Sequence, residues 1–277
     1  MGVDPPSVPS IVRLLAMSKL PVFPSVALQS MKMISQDDVS LFQLGELLKT
    51  DAALSTELLR AANSAMFGNR TEIKSIPMAV STLGMDRLSV LILTTAMWRM
   101  SSGSSRQNLR LWWRHNLATA LMCQHLMKSE AGSEYAYMAG IMHSVGQLAL
   151  FESHPVGYAN MLHRIVSVGA SLIEAERQRF GVDHCMLGAA LMRTWNIPAE
   201  LVDSVAHHHD PENAEHRYTK PVYMSCQVAN QIGFAVAPGP RKPHDQLSPE
   251  TLALLQDSRL CAHITERVDA LEASLLS

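Results

Sequence analysis

The residues of this chain best suited to acid–base or metal chemistry are its 12 histidines, none of which precedes His115. Imidazole is the commonest metal ligand in proteins and changes its charge near neutral pH. The positions that stand out are His115 inside a helical pattern, His143 in the segment GIMHSVG, His184 directly after Asp183, and the run 207–209. A single histidine on a helix is more often structural, and a run of three can be no more than a polar helix end. Helices of one bundle can nevertheless project such residues into one site.

The elements that must position these histidines are predicted to be helices. Apolar residues recur every three or four positions along most of the chain, and we find no alternating strands joined by hairpin turns, so the sequence predicts an all-α fold. Before residue 101, helices are predicted at about 41–48, 52–66, 77–83 and 88–100, with Gly84 ending the third. After it, they are predicted at about 107–128, 133–152, 155–166, 169–179, 184–195, 198–209 and 218–235, and again from 249 onward.

Two stretches of small and turn-forming residues divide the chain. One is SSGSS at 101–105, and the other is the proline-containing segment 237–246. We predict an N-terminal helical subdomain at 1–104, a histidine-bearing helical subdomain at 105–236, and a loop with a C-terminal helical extension at 237–277.

The composition narrows the classes of function. The chain has 277 residues, with 23 Lys and Arg against 25 Asp and Glu, a near-balance that argues against a protein built to coat nucleic acid or an anionic membrane. Its four cysteines are widely spaced and form no C-x-x-C pair, which is typical of reduced thiols in the cytoplasm. The longest apolar stretch, Leu88–Trp98, is shorter than the roughly 20 residues that a bilayer requires. We therefore expect a soluble, cytoplasmic protein without a leader at its start.

Several motifs in a fixed order resemble the HDOD family, the HD-related output domain. GIMHSVG around His143 resembles GLLHDIG, the signature of the metal-dependent phosphohydrolases of the HD superfamily. The other segments that resemble the HDOD pattern are, in chain order, LPVFP at 20–24, DAAL at 51–54, LLRAANS at 58–64, the stretch 73–84, WRH at 113–115, FGVDH at 180–184, Gly188, WNIP at 195–198 and HH at 208–209. Ala52 stands where the family usually has proline. Together these segments cover about residues 18–235.

The resemblance implies an all-helical fold, in which a helical N-terminal bundle packs on an HD-like helical bundle, and a role in bacterial signal output. It also implies a metal site in the histidine-bearing subdomain. The histidines that correspond by position to metal-binding histidines of HD proteins are His115, His143, His184, His208 and His209.

The carboxylates of an active HD phosphohydrolase are missing. By the resemblance, Ser144 stands where the aspartate of the HD pair belongs, and Asn230 stands near a later aspartate. Neutral side chains cannot offset the charge of two divalent ions, and hard ions such as Mg²⁺ prefer carboxylate oxygens. We expect no cofactor, or at most one divalent transition metal (Zn, Ni, Fe or Mn) at a degenerate site. The candidate hydrogen-bond partners of its ligands are Asp183, Asp203 and Asp210.

Two further patterns leave alternatives open. Arg106, Arg110 and Arg114 lie four residues apart beside Trp112 and Trp113, and they indicate either a phosphate-binding patch or a solvated helix face with the tryptophans packed inward. The 17 methionines indicate either flexible core filler or a groove for a partner.

We predict a non-catalytic signalling module that acts by contact with a partner protein, binds neither nucleic acid nor a membrane, and contains no catalytic residue. The alternative is a metal-dependent phosphohydrolase that acts on nucleotides or phosphodiesters. The replacement of carboxylates by Ser144 and Asn230 favours the signalling module.

Overall fold

A computed structural model describes residues 22–34, 39–69, 71–101, 106–129, 132–168, 170–236 and 247–276 of the chain. Within these ranges every regular element is a helix, which confirms the predicted all-α fold. The α-helices are α1 (Ser25–Ile34), α2 (Leu41–Lys49), α3 (Ala52–Ala62), α4 (Ile76–Ser101), α5 (Arg106–Leu126), α6 (Ser133–Met142), α7 (Val145–Ser153), α8 (Pro155–Val168), α9 (Leu172–Phe180), α10 (His184–Thr194), α11 (Ala199–His207), α12 (Thr219–Ala229), α13 (Pro249–Gln256) and α14 (Ser258–Leu276), with a 3₁₀ turn at Pro211–Asn213 and a π-helical turn at Asn230–Phe234.

Some predicted features lie outside the described residues. They are the subdomain boundary between 104 and 105, the predicted loop at 237–246, and the first two residues of the motif at 20–24.

Polar side chains cap the N-termini of α2 and α3. The hydroxyl of Ser40 accepts a hydrogen bond from the backbone nitrogen of Gln43 at the start of α2, and the carboxylate of Asp51 accepts one from the backbone nitrogen of Leu54 in α3. Asp51 also accepts a hydrogen bond from Arg99 at 2.6 Å. The cap of α3 therefore connects this helix to α4.

The long helix α4 is kinked at Gly84, the residue predicted to end a helix. Gly84 has φ 72° and ψ 172°, a backbone conformation that favours glycine. By length and composition alone, Ile76–Met100 could span a membrane. More than half of its most apolar stretch is buried inside the protein, however, and Leu91 and Met97 are fully buried. We interpret α4 as a helix of the protein core.

Glycines allow two pairs of helices to cross backbone against backbone. A Cβ atom on Gly146 of α7 would lie 2.0 Å from the carbonyl oxygen of His184 in α10, and one on Gly188 would lie 3.1 Å from the backbone nitrogen of Gly146. A Cβ on Gly140 of α6 would lie 2.6 Å from the Cα of Ala120 in α5. Because no side chain fits between these backbones, α7 lies close against the start of α10, and the end of α6 lies close against α5.

The prediction of a single helix at 133–152 is wrong. The helix α6 ends at Met142 and α7 begins at Val145, because Ser144 between them has φ −111° and ψ 26°. The carbonyl of Ser144 accepts a hydrogen bond at 3.0 Å from Nε1 of the buried Trp112 in α5. This tertiary hydrogen bond stabilises the break, which separates His143 from the helix that follows.

The predicted arginine face of α5 contributes to a helix–helix contact. Arg110 donates hydrogen bonds at 2.5 and 2.8 Å to the two carboxylate oxygens of Glu272 in α14. Arg114 donates to Glu272 and to Asp269, each at 2.5 Å. The neighbouring tryptophans are fully buried, as one of the two alternatives expected. Arg110 and Arg114 therefore hold α14 against α5, which neither alternative predicted.

The same C-terminal helix also contacts the N-terminal part of the chain. The hydroxyl of Ser274 in α14 donates a hydrogen bond at 2.6 Å to the carbonyl of Arg60 in α3. One helix thus connects α3 with the histidine-bearing helix α5.

Candidate metal centre

The five histidines predicted as metal ligands lie together in the structure. His115 is in α5, His143 follows α6, His184 begins α10, and His208 and His209 follow α11. Nε2 of His115 is 3.2 Å from Nε2 of His143, and Nε2 of His184 is 3.1 Å from that of His208 and 3.2 Å from that of His209. The rings of His143 and His208 are in edge contact, with centroids 4.9 Å apart. We call these five residues the histidine cluster.

Three of the buried imidazoles are oriented by a hydrogen bond to a backbone carbonyl. The pairs are Nδ1 of His115 with the carbonyl of Phe234 at 3.0 Å, Nδ1 of His143 with that of Gly140 at 2.7 Å, and Nδ1 of His208 with that of Val205 at 2.9 Å. Because a carbonyl oxygen only accepts, Nδ1 carries the proton in each of these rings and Nε2 presents a lone pair to the cluster. Metal-binding histidines are commonly oriented in this way.

The fourth buried imidazole, His184, is held by a carboxylate. Glu176 of α9 is fully buried, and its Oε2 accepts hydrogen bonds from Nδ1 of His184 at 2.7 Å and from the backbone nitrogen of His184 at 2.8 Å. The hydroxyl of Tyr158 donates to Oε1 of Glu176 at 2.5 Å. A buried carboxylate behind a histidine is a recurrent support of metal ligands in proteins.

Burial sets the protonation of the cluster. It lowers the pKa of His115 to about 4, since a charged imidazolium is unfavourable away from water. Burial, together with the charges of neighbouring histidines, lowers the pKa values of His143 and His208 well below their usual range. Burial would also lower the pKa of His184, but the negative charge of Glu176 outweighs it and the pKa lies well above the usual range.

Two cysteines that were not among the predicted ligands lie beside the histidine cluster. Sγ of Cys226 lies 3.5 Å from Nε2 of His115, and Sγ of Cys185 lies 4.0 Å from Nε2 of His208. Within each of two groups, the potential ligand atoms all lie within 4.8 Å of one another. Group 1 contains His115, His143 and Cys226, and group 2 contains His184, Cys185, His208 and His209. The signals in the sequence were the adjacency of Cys185 to His184 and the position of Cys226 one helical turn before Asn230.

The residues that replace the expected aspartates do not supply a carboxylate. The hydroxyl of Ser144 donates a hydrogen bond to Oδ1 of Asn116 at 2.9 Å. The amide of Asn230 lies 3.7 Å from Sγ of Cys226 and donates toward it. Both side chains therefore act as neutral hydrogen-bonding groups beside the cluster.

The three aspartates predicted to support the ligands have other partners. Asp183 caps α10 by accepting from the backbone nitrogen of Met186, and it pairs with Arg177. Asp203 binds Nδ1 of His207, which is not part of the cluster, at 2.9 Å, and Asp210 accepts from Asn213. The carboxylates of these three aspartates are thus engaged by residues outside the cluster, whereas the carboxylate of Glu176 holds His184. The sequence of α9 is rich in charged residues and is typical of a solvent-exposed helix, so it does not mark Glu176 as buried.

The cluster is enclosed. His115 is 3% exposed, His143 and His208 are 1% exposed, and His184 is fully buried. Only His209 among the five is exposed. Of the five histidines, His209 is therefore the one that contacts solvent.

The donors present decide which ion the centre fits. Imidazole nitrogens and thiols are ligands of Zn²⁺ and similar ions, whereas a bridged pair of hard ions requires carboxylate oxygens. Within the part of the chain that the structure describes, neither group contains an aspartate or a glutamate. The donor set therefore fits a borderline or soft cation, bound by imidazole nitrogen and sulfur.

The helical architecture and the buried histidine centre define a protein of the HD type. The family model of the HDOD domain matches residues 20–211, and the chain belongs to the HDOD family. This confirms the resemblance drawn from the motifs around His143.

Curated relatives share parts of the chain. An uncharacterized protein of Treponema pallidum is 27% identical over 223 residues, which cover 76% of this chain and 41% of that protein. Ribonuclease Y of Thermus thermophilus is 35% identical over 109 residues, which cover 39% of this chain and 16% of the ribonuclease. The matched regions span less than half the length of these relatives.

Solved structures share the fold over nearly the whole chain. A candidate phosphohydrolase of Shewanella amazonensis has a TM-score of 0.75 at 23% identity, covering 96% of this chain and 98% of that one. An HDOD domain protein of unknown function from Geobacter sulfurreducens has a TM-score of 0.74 at 23% identity, covering 96% and 91%. A candidate signal transduction protein of Marinobacter aquaeolei has a TM-score of 0.73 at 19% identity, covering 97% and 64%.

Proposed function

We propose that this HDOD chain is a cytoplasmic regulatory module that catalyses no reaction and acts by binding a partner protein. The observation that carries the proposal is the burial of the histidine cluster, in which four of the five imidazoles are at most 3% exposed. A phosphohydrolase has to bring a phosphate oxygen and an attacking water to its metal ions. Buried ligand sets are typical of structural sites, whereas catalytic sites keep an accessible position.

The charge of the site supports the same conclusion. Two divalent ions acting on a phosphodiester are normally balanced by carboxylates that bridge or flank them. Here Ser144 is engaged with Asn116, and Asn230 is a neutral amide beside Cys226. Glu176, whose carboxylate is hydrogen-bonded to His184, already accepts three hydrogen bonds.

An apolar cleft supports the binding role. It has a volume of about 540 Å³ and is lined mainly by apolar side chains, among them Met31, Met138 and Met142. Three charged residues, Lys32, Asp86 and Glu134, also line it. Apolar clefts with a few polar groups are typical of binding sites. We assign to this cleft an apolar anchor from a segment of the partner protein.

One similar protein supports a regulatory role, and another supports the alternative of phosphodiester hydrolysis. The Marinobacter protein of the same fold is a candidate signal transduction protein, whereas the partial match to ribonuclease Y raises RNA as a substrate. RNA is therefore included among the test substrates.

The absence of catalysis is tested with the purified protein. Samples with Mn²⁺, with Zn²⁺ and with EDTA are incubated with bis(p-nitrophenyl) phosphate, a cyclic dinucleotide and a short RNA. We expect no hydrolysis above that of a His143→Ala variant, which lacks one buried imidazole of the cluster. Metal-dependent turnover that His143→Ala abolishes would refute the proposal in favour of the phosphohydrolase.

A second variant tests whether catalysis is prevented by the burial of the cluster or by the missing carboxylates. Ser144→Asp combined with Asn230→Asp restores the two carboxylates, and we expect it to remain inactive because the cluster is still enclosed. Turnover in this variant alone would mean that the lost carboxylates, and not the burial, suppress catalysis in the natural chain.

The binding role is tested in the cells that produce the protein. A photo-crosslinking residue at Tyr135, which lines the cleft, is expected to give a defined protein adduct, and Met138→Trp is expected to abolish it by filling the cleft. The matched position is Val156, which is 72% exposed on α8 and does not line the cleft. Equal adducts from both positions, or adducts unaffected by Met138→Trp, would contradict the assignment.

A further inference from the structure

The contacts among the ring nitrogens are better satisfied by a metal ion than by a proton. Nε2 of His184 has two Nε2 neighbours, those of His208 at 3.1 Å and His209 at 3.2 Å. Nε2 of an imidazole has a single in-plane position, so a proton there can be donated well to only one of these two neighbours, and the other nitrogen–nitrogen contact is then not a well-aligned hydrogen bond. A metal ion accepts all three lone pairs at once.

The same reasoning applies to the first group. Nε2 of His115 faces Nε2 of His143 at 3.2 Å, and both rings already donate through Nδ1 to backbone carbonyls. A proton between them would make a buried cation, which is costly unless a negative charge is beside it. Cys226 lies 3.5 Å from His115 and can supply that charge as a thiolate.

The distances in group 1 match metal coordination, and so do the nitrogen–nitrogen distances in group 2. For a tetrahedral ion bound at the usual zinc lengths of about 2.05 Å to nitrogen and 2.3 Å to sulfur, two nitrogens lie about 3.4 Å apart and a nitrogen and a sulfur about 3.6 Å apart. In group 1 the corresponding separations are 3.2 Å and 3.5 Å. In group 2 the nitrogens are at 3.1 and 3.2 Å, and Sγ of Cys185 is farther, at 4.0 Å from Nε2 of His208.

We propose that the centre binds thiophilic cations of the zinc class, one in group 1 with Cys226 as a thiolate ligand and one in group 2 with Cys185 as a thiolate ligand. The centre thereby differs from the carboxylate-bridged site of active HD phosphohydrolases. Two thiolates supply the negative charge that Ser144 and Asn230 do not. Sulfur also selects for Zn²⁺ over Mg²⁺ and Mn²⁺, which prefer oxygen ligands. This inference does not rest on the proposed lack of catalysis, because metal binding is measured without turnover.

The test uses Co²⁺ as a spectroscopic probe of the metal-free full chain. A thiolate ligand gives Co²⁺ a sulfur-to-metal charge-transfer band in the near ultraviolet, and tetrahedral coordination gives intense visible absorption. We expect both signals to grow to two equivalents of Co²⁺ and to disappear when Zn²⁺ is added. The absence of the charge-transfer band in the wild-type protein would overturn the proposal, whether or not any variant folds.

Cysteine variants assign the ligands. Cys226→Ser and Cys185→Ser are each expected to lose part of the charge-transfer band and to weaken one Zn²⁺ site by more than the roughly 10–100-fold typical of substitutions behind a ligand. The double variant is expected to lose the band entirely. Cys123→Ser is the control, because Cys123 is also buried but belongs to neither group. An unchanged band in the double variant, or an equal loss in Cys123→Ser, would overturn the assignment.

Discussion

Replacement of Glu176 by glutamine tests whether this buried carboxylate stabilises the cluster through its charge. In the wild-type protein Glu176 accepts hydrogen bonds from Tyr158 at 2.5 Å and from two groups of His184 at 2.7 and 2.8 Å. Glutamine has nearly the same shape. Its amide oxygen can accept from both His184 groups, and its amide nitrogen can donate to the hydroxyl of Tyr158. The substitution therefore removes the charge and retains the contacts.

The expected cost follows from these three contacts. A hydrogen bond to a charged group contributes about 1.5–3 kcal/mol, and a neutral one about 0.5–1.5 kcal/mol. Three such differences of about 1 kcal/mol each are partly offset, because a buried charge has also been removed. We expect Glu176→Gln to lower the free energy of unfolding by about 2 kcal/mol in metal-free protein. Since Glu176 orients His184, we also expect Zn²⁺ to bind group 2 roughly 10–100-fold more weakly.

Urea unfolding in the presence of EDTA measures the first effect, and competition with a Zn²⁺ indicator measures the second. Glu174→Gln is the matched control, because Glu174 is an exposed residue of the same helix and its substitution should change stability by less than about 0.5 kcal/mol. If Glu176→Gln and Glu174→Gln have the same stability and the same Zn²⁺ affinity, the charge of Glu176 has no role in the cluster.

Two other predictions concern packing and pH. Gly146→Ala should destabilise the protein by about 3 kcal/mol in urea unfolding, because its Cβ would lie 2.0 Å from the carbonyl oxygen of His184. Burial alone would raise the pKa of Glu272, but hydrogen bonds from Arg110 and Arg114 outweigh it and lower the pKa. The stability from this contact should therefore be complete above the ordinary glutamate pKa of about 4.3 and be lost as pH falls through the lowered pKa, as measured by urea unfolding of wild type and Glu272→Gln across that range.

Each of these predictions has a contrasting variant. Gly157→Ala in α8, where the added Cβ meets nothing nearer than 3.8 Å, should retain or slightly raise stability. Equal effects of Gly146→Ala and Gly157→Ala would mean that the helix crossing tolerates a side chain. For Glu272, a difference from Glu272→Gln that does not shrink as the pH falls would show that its charge does not contribute.

Much of the fold followed from local patterns. The kink at Gly84 was predictable because a glycine interrupts an apolar helical pattern, and the cap at Asp51 follows from its side-chain chemistry. The break at Ser144 was not predictable in this way. The segments on both sides of it are apolar on every face, so no periodicity marks an interruption, and its stabilising partner, Trp112, is 32 residues away.

The histidines of the centre were predictable from their residue type and from their resemblance to the motifs of a known family. The five histidines came from the motifs, and the structure places them together. The sequence marks Cys226 only by its position one helical turn before Asn230, and it does not mark Glu176. Cys226 reaches His115 across 111 residues, and Glu176 lies among arginines in a segment that reads as solvent-exposed. The contacts that give both residues their roles are created by the packing of different helices.

The attachment of α14 to two distant helices has a consequence for the order of assembly. Glu272 is held by Arg110 and Arg114 of α5, and Ser274 is bonded to the carbonyl of Arg60 in α3. On a ribosome, α3 and α5 are complete long before residues 258–276 emerge. Helices α3 and α5 can therefore form during translation, but the contacts of α14 that connect them can form only after residues 258–276 have been synthesised.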